Sequence, residues 1–401
     1  MGMVLVFTHY ILRRISGLSL RILVKVLNVW PLGIWNLRSR WNGILYFRHN
    51  IMPKEFDWKR SYGKMSKTFK KYGFKVPQLY SDCYSQWTGV VHDRYLSTDL
   101  YYNYILPCLN RYDFMMGLLD KAFFETLFSD FGQPCTIVSC RNGVFFGVTN
   151  RPISITDAIE KVMQYRRQHG QIIIKPTTGT ACASGVGLME ASTAEEVRQE
   201  FAKAGLNFIC QEKVRQHPEM ARLNDTSLNT LRVYTYRDLN KVIHFVDNAS
   251  LVRFGSVGAV FDNALAGGGY CAVDEDGNVS DRIYREKTLT VGSLEKEKGL
   301  SMFKIPDFKK VKDFVLDLHA RLPYFDWIGW DVAIKENGNA VFIEYNLVPS
   351  CELPQTAHSD IFGPYFDEIM QRVQKVKHTV QIAERQDFGN GFRRLEGIVT
   401  W

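Results

Sequence analysis

The sequence predicts an α+β fold, and three observations lead there. Two apolar runs, residues 327–334 and 340–346, flank Lys335-Glu-Asn-Gly-Asn339, and Asn-Gly is the preferred pair for a tight hairpin turn. Residues 154–214 alternate helical spacing with short apolar strands. From Leu231 the pattern is mainly β, broken by one long helix over 306–322.

The elements follow in order. Residues 1–95 are basic, aromatic-rich and expected to be mainly helical. Residues 118–131 suit a helix, and short strands are expected near 136–138 and 144–148. A helix opens after Ser154 and stops at Gly170. Residues 171–175 form a triple-isoleucine strand, a Gly/Ser/Thr-rich loop follows, and 187–190 resume a strand. Residues 193–204 suit a helix ended by Gly205, and 208–214 another strand. Strands are then expected at 231–237, 242–246 and 270–273, with a loop over 255–269 and a turn at Asp276-Gly277-Asn278. Residues 355–385 return to helix, and 386–401 have no readable role.

The hairpin carries the most chemistry. A two-residue turn at Asn337-Gly338 sets Ile334 opposite Val341 and Asp331 opposite Glu344. One face then reads Trp330, Val332 and Ile334 against Tyr345, Ile343 and Val341. The other opposes two acids, with Asn346 two residues on. Like charges directly opposite repel. A cation between them turns that cost into a site, and Mg²⁺ takes such oxygens while sharing them with phosphates. The alternative is an ordinary hairpin with two acids on its wet face.

Bulk properties exclude several classes. The eight cysteines form no Cys-x-x-Cys pair, which argues against a disulfide framework and for reduced buried thiols in a cytoplasmic protein. No apolar run reaches the ~18 residues of a membrane span. The apolar start is cut by Arg13 and Arg14, and a cleavable signal would carry its charges first. Net charge is +8, yet residues 1–75 hold fifteen Lys/Arg against two acids. Ile11, Ile15, Leu18, Ile22 and Val26 form one helical stripe flanked by Arg14, Arg21 and Lys25, and Trp30, Trp35 and Trp41 follow. Such a stretch suits the inner face of an anionic membrane, or packing on the core. Zinc-finger spacing and RNA-binding signatures are absent, so no nucleic-acid partner is expected.

Other residues gain meaning by position. Lys175 ends a buried strand before a small-residue loop that includes Gly185, an arrangement suited to phosphate binding but lacking the Walker A ending, or it is a solvent-facing lysine before a surface loop. Lys121 lies early in the expected 118–131 helix, where a polyphosphate would relieve its unfavourable place on the dipole; the alternative is a solvated helix lysine. Glu212 arrives as a buried strand ends, and Glu219 follows seven residues on. Each acid could accept ribose hydroxyls or pair with Arg215 or Arg222. Arg232 and Arg253, on apolar strands, each need an anion, either a phosphate or a protein carboxylate. Asn263, before Gly267-Gly-Gly269, offers an amide and close backbone access to an oxyanion, or is a plain turn.

In this order the residues resemble an ATP-grasp enzyme. The likeness rests on Asp120-Lys121, Ile174-Lys175-Pro176, Gln211-Glu212-Lys213-Val214 with Glu219, Leu231-Arg232-Val233, and Asp331 with Glu344-Tyr-Asn346. Within the superfamily the chain most resembles the sugar-transfer-associated ATP-grasp family, through Tyr101-Tyr-Asn-Tyr-Ile105, Ser227-Leu-Asn-Thr-Leu-Arg-Val233, Asp262-Asn263 and Glu344-Tyr-Asn-Leu-Val-Pro349. The resemblance implies an ATP-grasp domain over 96–375, with two α+β subdomains, 96–213 and 214–375, clasping ATP. The basic region 1–95 precedes it and the tail 376–401 follows.

It also implies roles. Lys121 and Lys175 would hold phosphates, and Gln211, Glu212, Lys213 and Val214 would meet the adenine. Glu219 would take the ribose, and Asp331, Glu344 and Asn346 would bind Mg²⁺, or Mn²⁺. Two departures stand out. Gly329 occupies the place where D-alanine–D-alanine ligases carry an arginine, so Arg232 or Arg253 would supply that charge. Ser350 replaces the glycine that usually follows Asn-x-x-Pro. The implied reaction joins a carboxylate to an amine or other nucleophile through an acyl phosphate, on small-molecule or saccharide substrates in polysaccharide modification. A small-molecule or sugar kinase, and a non-catalytic nucleotide-binding component of a polysaccharide assembly, are the alternatives.

Overall fold

The computed structural model describes residues 65–148, 150–178, 185–286, 288, 290–377, 382–383 and 396–397. The basic stripe expected within residues 1–64, the loop 179–184 and most of the tail lie outside the described residues. The chain divides into two compact units, one built on residues 109–288 and 292–349, the other on 65–108 and 350–377.

The first unit holds two antiparallel sheets. The smaller contains β1 (Thr136–Arg141), β2 (Val144–Phe146), β3 (Pro152–Ile153), β4 (Ile172–Pro176), β5 (Gly187–Met189) and β6 (Phe208–Glu212), in the order β3-β2-β1-β6-β4-β5. Two helices cover one face, and local chemistry sets their ends. Ile155–His169 starts at a capping box, in which the Ser154 hydroxyl accepts from the Asp157 amide at 3.0 Å and the Asp157 carboxylate accepts from the Ser154 amide at 3.2 Å. Ala194–Ala204 repeats the device with Thr193 and Glu196. Under these helices lie Val138, Cys140, Ile172, Ile174, Phe208 and Cys210. Cross-strand register therefore puts Ser139, Ile209 and Lys175 together on the opposite face.

The larger sheet contains β7 (Thr230–Arg237), β8 (Ile243–Phe245), β9 (Leu251–Phe254), β10 (Gly269–Ala272), β11 (Arg282–Arg285), β12 (Thr290–Ser293), β13 (Trp327–Ile334) and β14 (Ala340–Asn346). Its order is β12-β11-β10-β9-β7-β13-β14, with β8 also beside β7. The helix Phe308–Ala320 packs Val311, Val315 and Leu318 with Ile328, Trp330, Val332, Phe342 and Tyr345. A buried polar chain ties helix to sheet. The Trp330 indole donates to the Thr235 hydroxyl at 2.8 Å, and that hydroxyl meets His319 Nδ1 at 2.6 Å. The remaining ring nitrogen, His319 Nε2, lies 2.8 Å from the Phe325 carbonyl oxygen. Burial first, and Arg237 second, push the His319 imidazole down to about 3, so it stays neutral.

The expected two-residue turn is corrected. Lys335 N donates to the Asn339 carbonyl at 2.9 Å, leaving a three-residue loop in which Gly338 alone takes positive φ, +79°. A type I′ turn would need positive φ at Asn337 as well. The longer loop pairs Val332 with Phe342, one residue off the expected register. An irregularity between Asp331 and Val332 then leaves Ile343 as an extra residue, and Asp331 faces Glu344 after all. The core face consequently carries Phe342 and Tyr345. Val341 and Ile343 instead join Val214, Ala333 and Leu228 in a small separate cluster.

Further differences are local. The 118–131 helix is broken into Tyr112–Leu118, a 3₁₀ turn Lys121–Phe123 and Phe124–Leu127. Asp120 breaks it by accepting the Ala122 amide at 2.9 Å and capping a new turn. The helix expected over 355–385 is two helices, Glu352–His358 and Phe366–Lys377. Both belong to the second unit, where Arg94 donates to Asp360 at 2.8 Å and stacks over Phe366 at 4.6 Å. Gln355 Oε1 there accepts from the Leu96 amide at 2.8 Å. All seven described cysteines are free, and six are buried. No helix among the described residues is long and apolar enough to cross a membrane.

Candidate functional site

Four of the residues singled out in the sequence, Arg232, Arg253, Asp331 and Glu344, lie on the larger sheet's second face. Arg232 on β7 pairs across the ladder with Asp331 on β13, and Asp331 pairs with Glu344 on β14. Arg253 on β9 faces Thr230. A row of charge thus crosses four adjacent strands, and strand alternation sets it opposite the Trp330 face.

Asp331 is the hub, with its side chain 3% exposed. Arg232 grips it through both nitrogens, Nε to Oδ1 at 2.5 Å and Nη2 to Oδ2 at 2.9 Å. Arg253 Nη2 lies 3.3 Å from Asp331 Oδ2 and equally 3.3 Å from Asp262 Oδ2. Burial alone would raise the Asp331 carboxyl, but Arg232 and Arg253 overturn that and hold it well below the ordinary carboxylate range. The two arginines therefore neutralise the aspartate that the sequence marks as a metal ligand.

Lys121 starts its 3₁₀ turn with its amide on the Thr177 carbonyl at 3.0 Å, and its ammonium lies 3.3 Å from Glu344 Oε2. Lys175 is half-buried on the face of β4 opposite the two helices. Burial pushes its ammonium down to about 8; Glu344 pulls the other way and Lys121 adds to the depression. Lys121, Lys175 and Glu344 therefore share one electrostatic neighbourhood, which joins the smaller sheet to the hairpin. Arg232, Arg253, Lys121 and Lys175 stand against Asp331, Asp262 and Glu344, a balance that leaves one positive charge for an anion. Gly185 returns the chain beside Lys175 with φ +74°, where a Cβ would meet Pro176 Cγ at 2.8 Å. Only glycine fits there.

Asn346 sits opposite Gly329, and its buried Nδ2 has no hydrogen-bond partner. Amide orientation is an assignment, so a half-turn would place Oδ1 at the same spot. Two carboxylates and an amide form an oxygen-only donor set that suits a hard divalent cation. Among the described residues no cluster of three or more His, Cys, Asp or Glu forms a metal cage. A cation here would take its remaining ligands from phosphates and water, which is how Mg²⁺ is usually held. Gly329 is glycine for a steric reason. A Cβ would lie 2.8 Å from Pro349 Cβ and 3.3 Å from the Tyr234 ring, so no side chain can leave the sheet at that position.

The expected adenine strand is placed more diversely. Gln211 is buried and donates to the Thr136 hydroxyl at 2.9 Å. Glu212 pairs with Lys335 at 2.8 Å, and Lys213 donates to Gln171 at 2.9 Å. Val214 joins the apolar cluster of Ala333, Val341, Leu228 and Ile343. Beyond it, Glu336 N donates to the Arg215 carbonyl and His217 N to that of Ile334, binding this link to the hairpin. A polar groove of about 800 Å³ borders Glu212, Lys213 and Val214 on the side of Tyr165 and His169. It contains none of Asp331, Glu344, Lys121 or Lys175, and is a separate feature.

Two sequence candidates stand apart. Glu219 opens the short helix Pro218–Ala221 and pairs with Arg222 at 2.7 Å, both about half exposed. Asn263 closes a tight turn, accepting from the Ala266 amide through its side chain at 3.3 Å and from the Gly268 amide through its carbonyl at 3.0 Å. Sequence reasoning missed Asp262 and Thr230 as parts of the row. Thr230 donates through its backbone to Asp262 at 3.2 Å and accepts from Arg253 at 2.8 Å through its hydroxyl. The signal was an acid beside Asn263, which gained meaning only once Arg253 lay next to it.

No curated protein sequence matches the chain. Similar solved structures include the ATP-grasp ligase PsnB complexed with minimal precursor, at 18% identity and a TM-score of 0.37 over 64% of this chain. The match spans 61% of the PsnB chain. D-cycloserine synthetase DcsG is 15% identical with a TM-score of 0.38, covering 65% of this chain and 69% of its own. D-alanine–D-alanine ligase from Bacillus anthracis is 10% identical with a TM-score of 0.37, covering 65% and 68% respectively. The sequence profile of the family described as sugar-transfer associated ATP-grasp matches residues 100–371, and the chain belongs to that family.

Proposed function

We propose that the protein is a Mg-ATP-dependent ligase that activates a carboxylate as an acyl phosphate and passes it to an amine or another nucleophile. One observation carries this reading: Asp331 and Glu344 face each other beside four cationic side chains and an unpartnered buried amide on Asn346. That constellation suits a polyphosphate with a hard cation.

Asp331, Glu344 and Asn346 would hold the magnesium, which when bound supplies charge neutralisation at the phosphates. Lys121 and Lys175 would bind phosphate oxygens, and Lys121 would leave Glu344 to do so. Arg232 keeps Asp331 ionised and fixed. Arg253, already shared between Asp331 and Asp262, would offer its remaining donors to the reacting carboxylate or its phosphate. Phosphoryl transfer of this kind depends on positioning and electrostatics, and needs no covalent enzyme intermediate. The apolar cluster at Val214 and Ile343 would meet the adenine, with Gln211–Lys213 beside it and Glu219 reaching the ribose once freed from Arg222. An exposed ion pair is worth only about 0–1 kcal/mol, so that release is cheap. The glycine turn at Asn263 would offer backbone donors to an oxyanion. The acceptor's saccharide character is supported by the family's description. Contact of residues 1–64 with an anionic membrane surface is supported by their charge.

The test is product chemistry. Purified protein with Mg-ATP should release ADP and free phosphate only when an acid and an amine are both supplied, and hydroxylamine should trap the acyl group as a hydroxamate. A stable phosphorylated product without free phosphate would replace this reading with a kinase.

A further inference from the structure

Arg141 has no part in the reaction described above, yet it is built in with care. It ends β1, two residues beyond Ser139, and so lies on the face that carries Lys175. Its Nη2 donates to the Ala122 carbonyl at 3.0 Å. Its guanidinium carbon lies 5.2 Å from the centre of the Phe123 ring and 4.5 Å from that of Phe146. Its Nε is buried with no hydrogen-bond partner. Ala122 and Phe123 are the two residues after Lys121, within the three-residue 3₁₀ turn that presents the Lys121 ammonium to Glu344.

A three-residue 3₁₀ turn has little stability of its own. This one is held on three sides. Asp120 accepts the Ala122 amide, Thr177 accepts the Lys121 amide, and Arg141 donates to the Ala122 carbonyl. The first two anchor amides; only Arg141 among these three anchors a carbonyl, and it also clamps the neighbouring ring.

We infer that Arg141 is a positioning residue that fixes the Lys121 turn and thereby sets where the Lys121 ammonium meets the transferred phosphate. The inference rests on the ligase reading for the role of Lys121, and goes beyond it in assigning that role's control to β1. Arginine is required for its shape. Lysine could donate to Ala122 but could not stack as a plane between Phe123 and Phe146.

The experiment is a double-mutant cycle on the full chain with Arg141→Met and Lys121→Met, read by Mg-ATP affinity and turnover. Arg141→Met alone should weaken the lysine-dependent step about tenfold or more, since small misplacements of a positioned group are costly. Arg141→Lys should recover only part. In the Lys121→Met background the Arg141 effect should vanish, because the group it positions is gone. Additive losses would overturn the inference, since they would mean that Arg141 acts on ligand or fold directly. Hydrogen exchange of peptides covering residues 120–124 in the nucleotide-free protein supplies an independent readout. Arg141→Met should speed exchange there while leaving the Ile155–His169 helix unchanged, and unchanged exchange at 120–124 would also overturn it. If Lys121→Met leaves nucleotide affinity intact, the phosphate role of Lys121 falls instead, and the exchange result decides the positioning role by itself.

Discussion

Strands β7 and β13 carry two buried polar networks, one on each face, and the two are built on opposite terms. On the core face Trp330, Thr235 and His319 form a closed chain in which the indole, the hydroxyl and both ring nitrogens all have partners. On the opposite face Asp331, Arg232, Arg253, Lys121 and Glu344 are paired, but Asn346 keeps an unpartnered buried atom and nearby Lys175 carries a depressed ammonium. Burying polar groups is tolerable when every bond is made. The first network therefore reads as structure, and the second, with polar groups left over, is the one proposed above for phosphate and metal. Residues one apart in sequence, Trp330 and Asp331, belong to different halves of the protein's business.

Substitution should separate the faces. Asp331→Asn leaves Arg232 buried without its anion, and should cost about 3–5 kcal/mol of unfolding free energy as well as Mg-ATP binding. Glu344→Gln, one strand away and a third exposed, should lose Mg-ATP binding with little change in denaturant midpoint. If both variants lost stability equally, the charged row would be structural and the comparison would fail.

Acid should find the core face. His319 is neutral in the fold, with its imidazole held near 3, whereas the unfolded chain protonates it near the ordinary ~6.5. Stability should thus fall as pH drops below about 6.5, by on the order of 2 kcal/mol near pH 4.5. His319→Gln should flatten that part of the curve, measured by urea unfolding across pH. A wild-type curve flat through this window would show that the imidazole is not buried in its neutral form.

Thr235→Val keeps the shape but removes a donor and an acceptor from a buried chain, and should cost about 1–3 kcal/mol. Mg-ATP affinity should stay within twofold or so of wild type, because the change lies on the wrong face to reach the site. A large loss of affinity would show that the two networks are coupled through the strand pair.

The smallest effect belongs to Lys175. With its ammonium near 8 in the free protein, phosphate binding must favour the charged form. ATP affinity should weaken above pH 8, approaching about tenfold per pH unit, with matching proton uptake on binding. Lys175→Arg, which stays charged, should remove the pH dependence whatever it does to affinity. Titration calorimetry in buffers of different ionisation enthalpy measures both.

How much of this could be read from the chain depended on distance along it. The helices at Ile155–His169 and Ala194–Ala204 were legible because caps and stops lie within a few residues of the periodic run. The facing of Asp331 and Glu344 was reached from a turn one residue too short, an offset that the extra residue at Ile343 cancels. The break at Asp120 was not legible, since Leu118, Leu119, Ala122 and Phe123 keep a helical pattern that a single capping carboxylate overrides. The place of Asp262 beside Arg253, and the part played by Arg141, were not legible for another reason. Their meaning comes from partners on strands or turns some ten to thirty residues away, and register across a sheet is not written in local spacing.

The extra residue at Ile343 changes what the separation of the two acids means. The side chains opposite one another are Asp331 and Glu344, but Ile343 is not needed for that pairing. Were it deleted, Val332 would still face Phe342 and Asp331 would still face Glu344, one residue nearer in sequence. The distance between these acids along the chain is thus an elastic ruler. A relative with the shorter interval and the same loop could carry the same facing pair. What it would lack is Ile343 itself, the partly buried neighbour of Val214 in the small cluster. Strand length here adjusts the lining beside the acids while leaving the acids where they are.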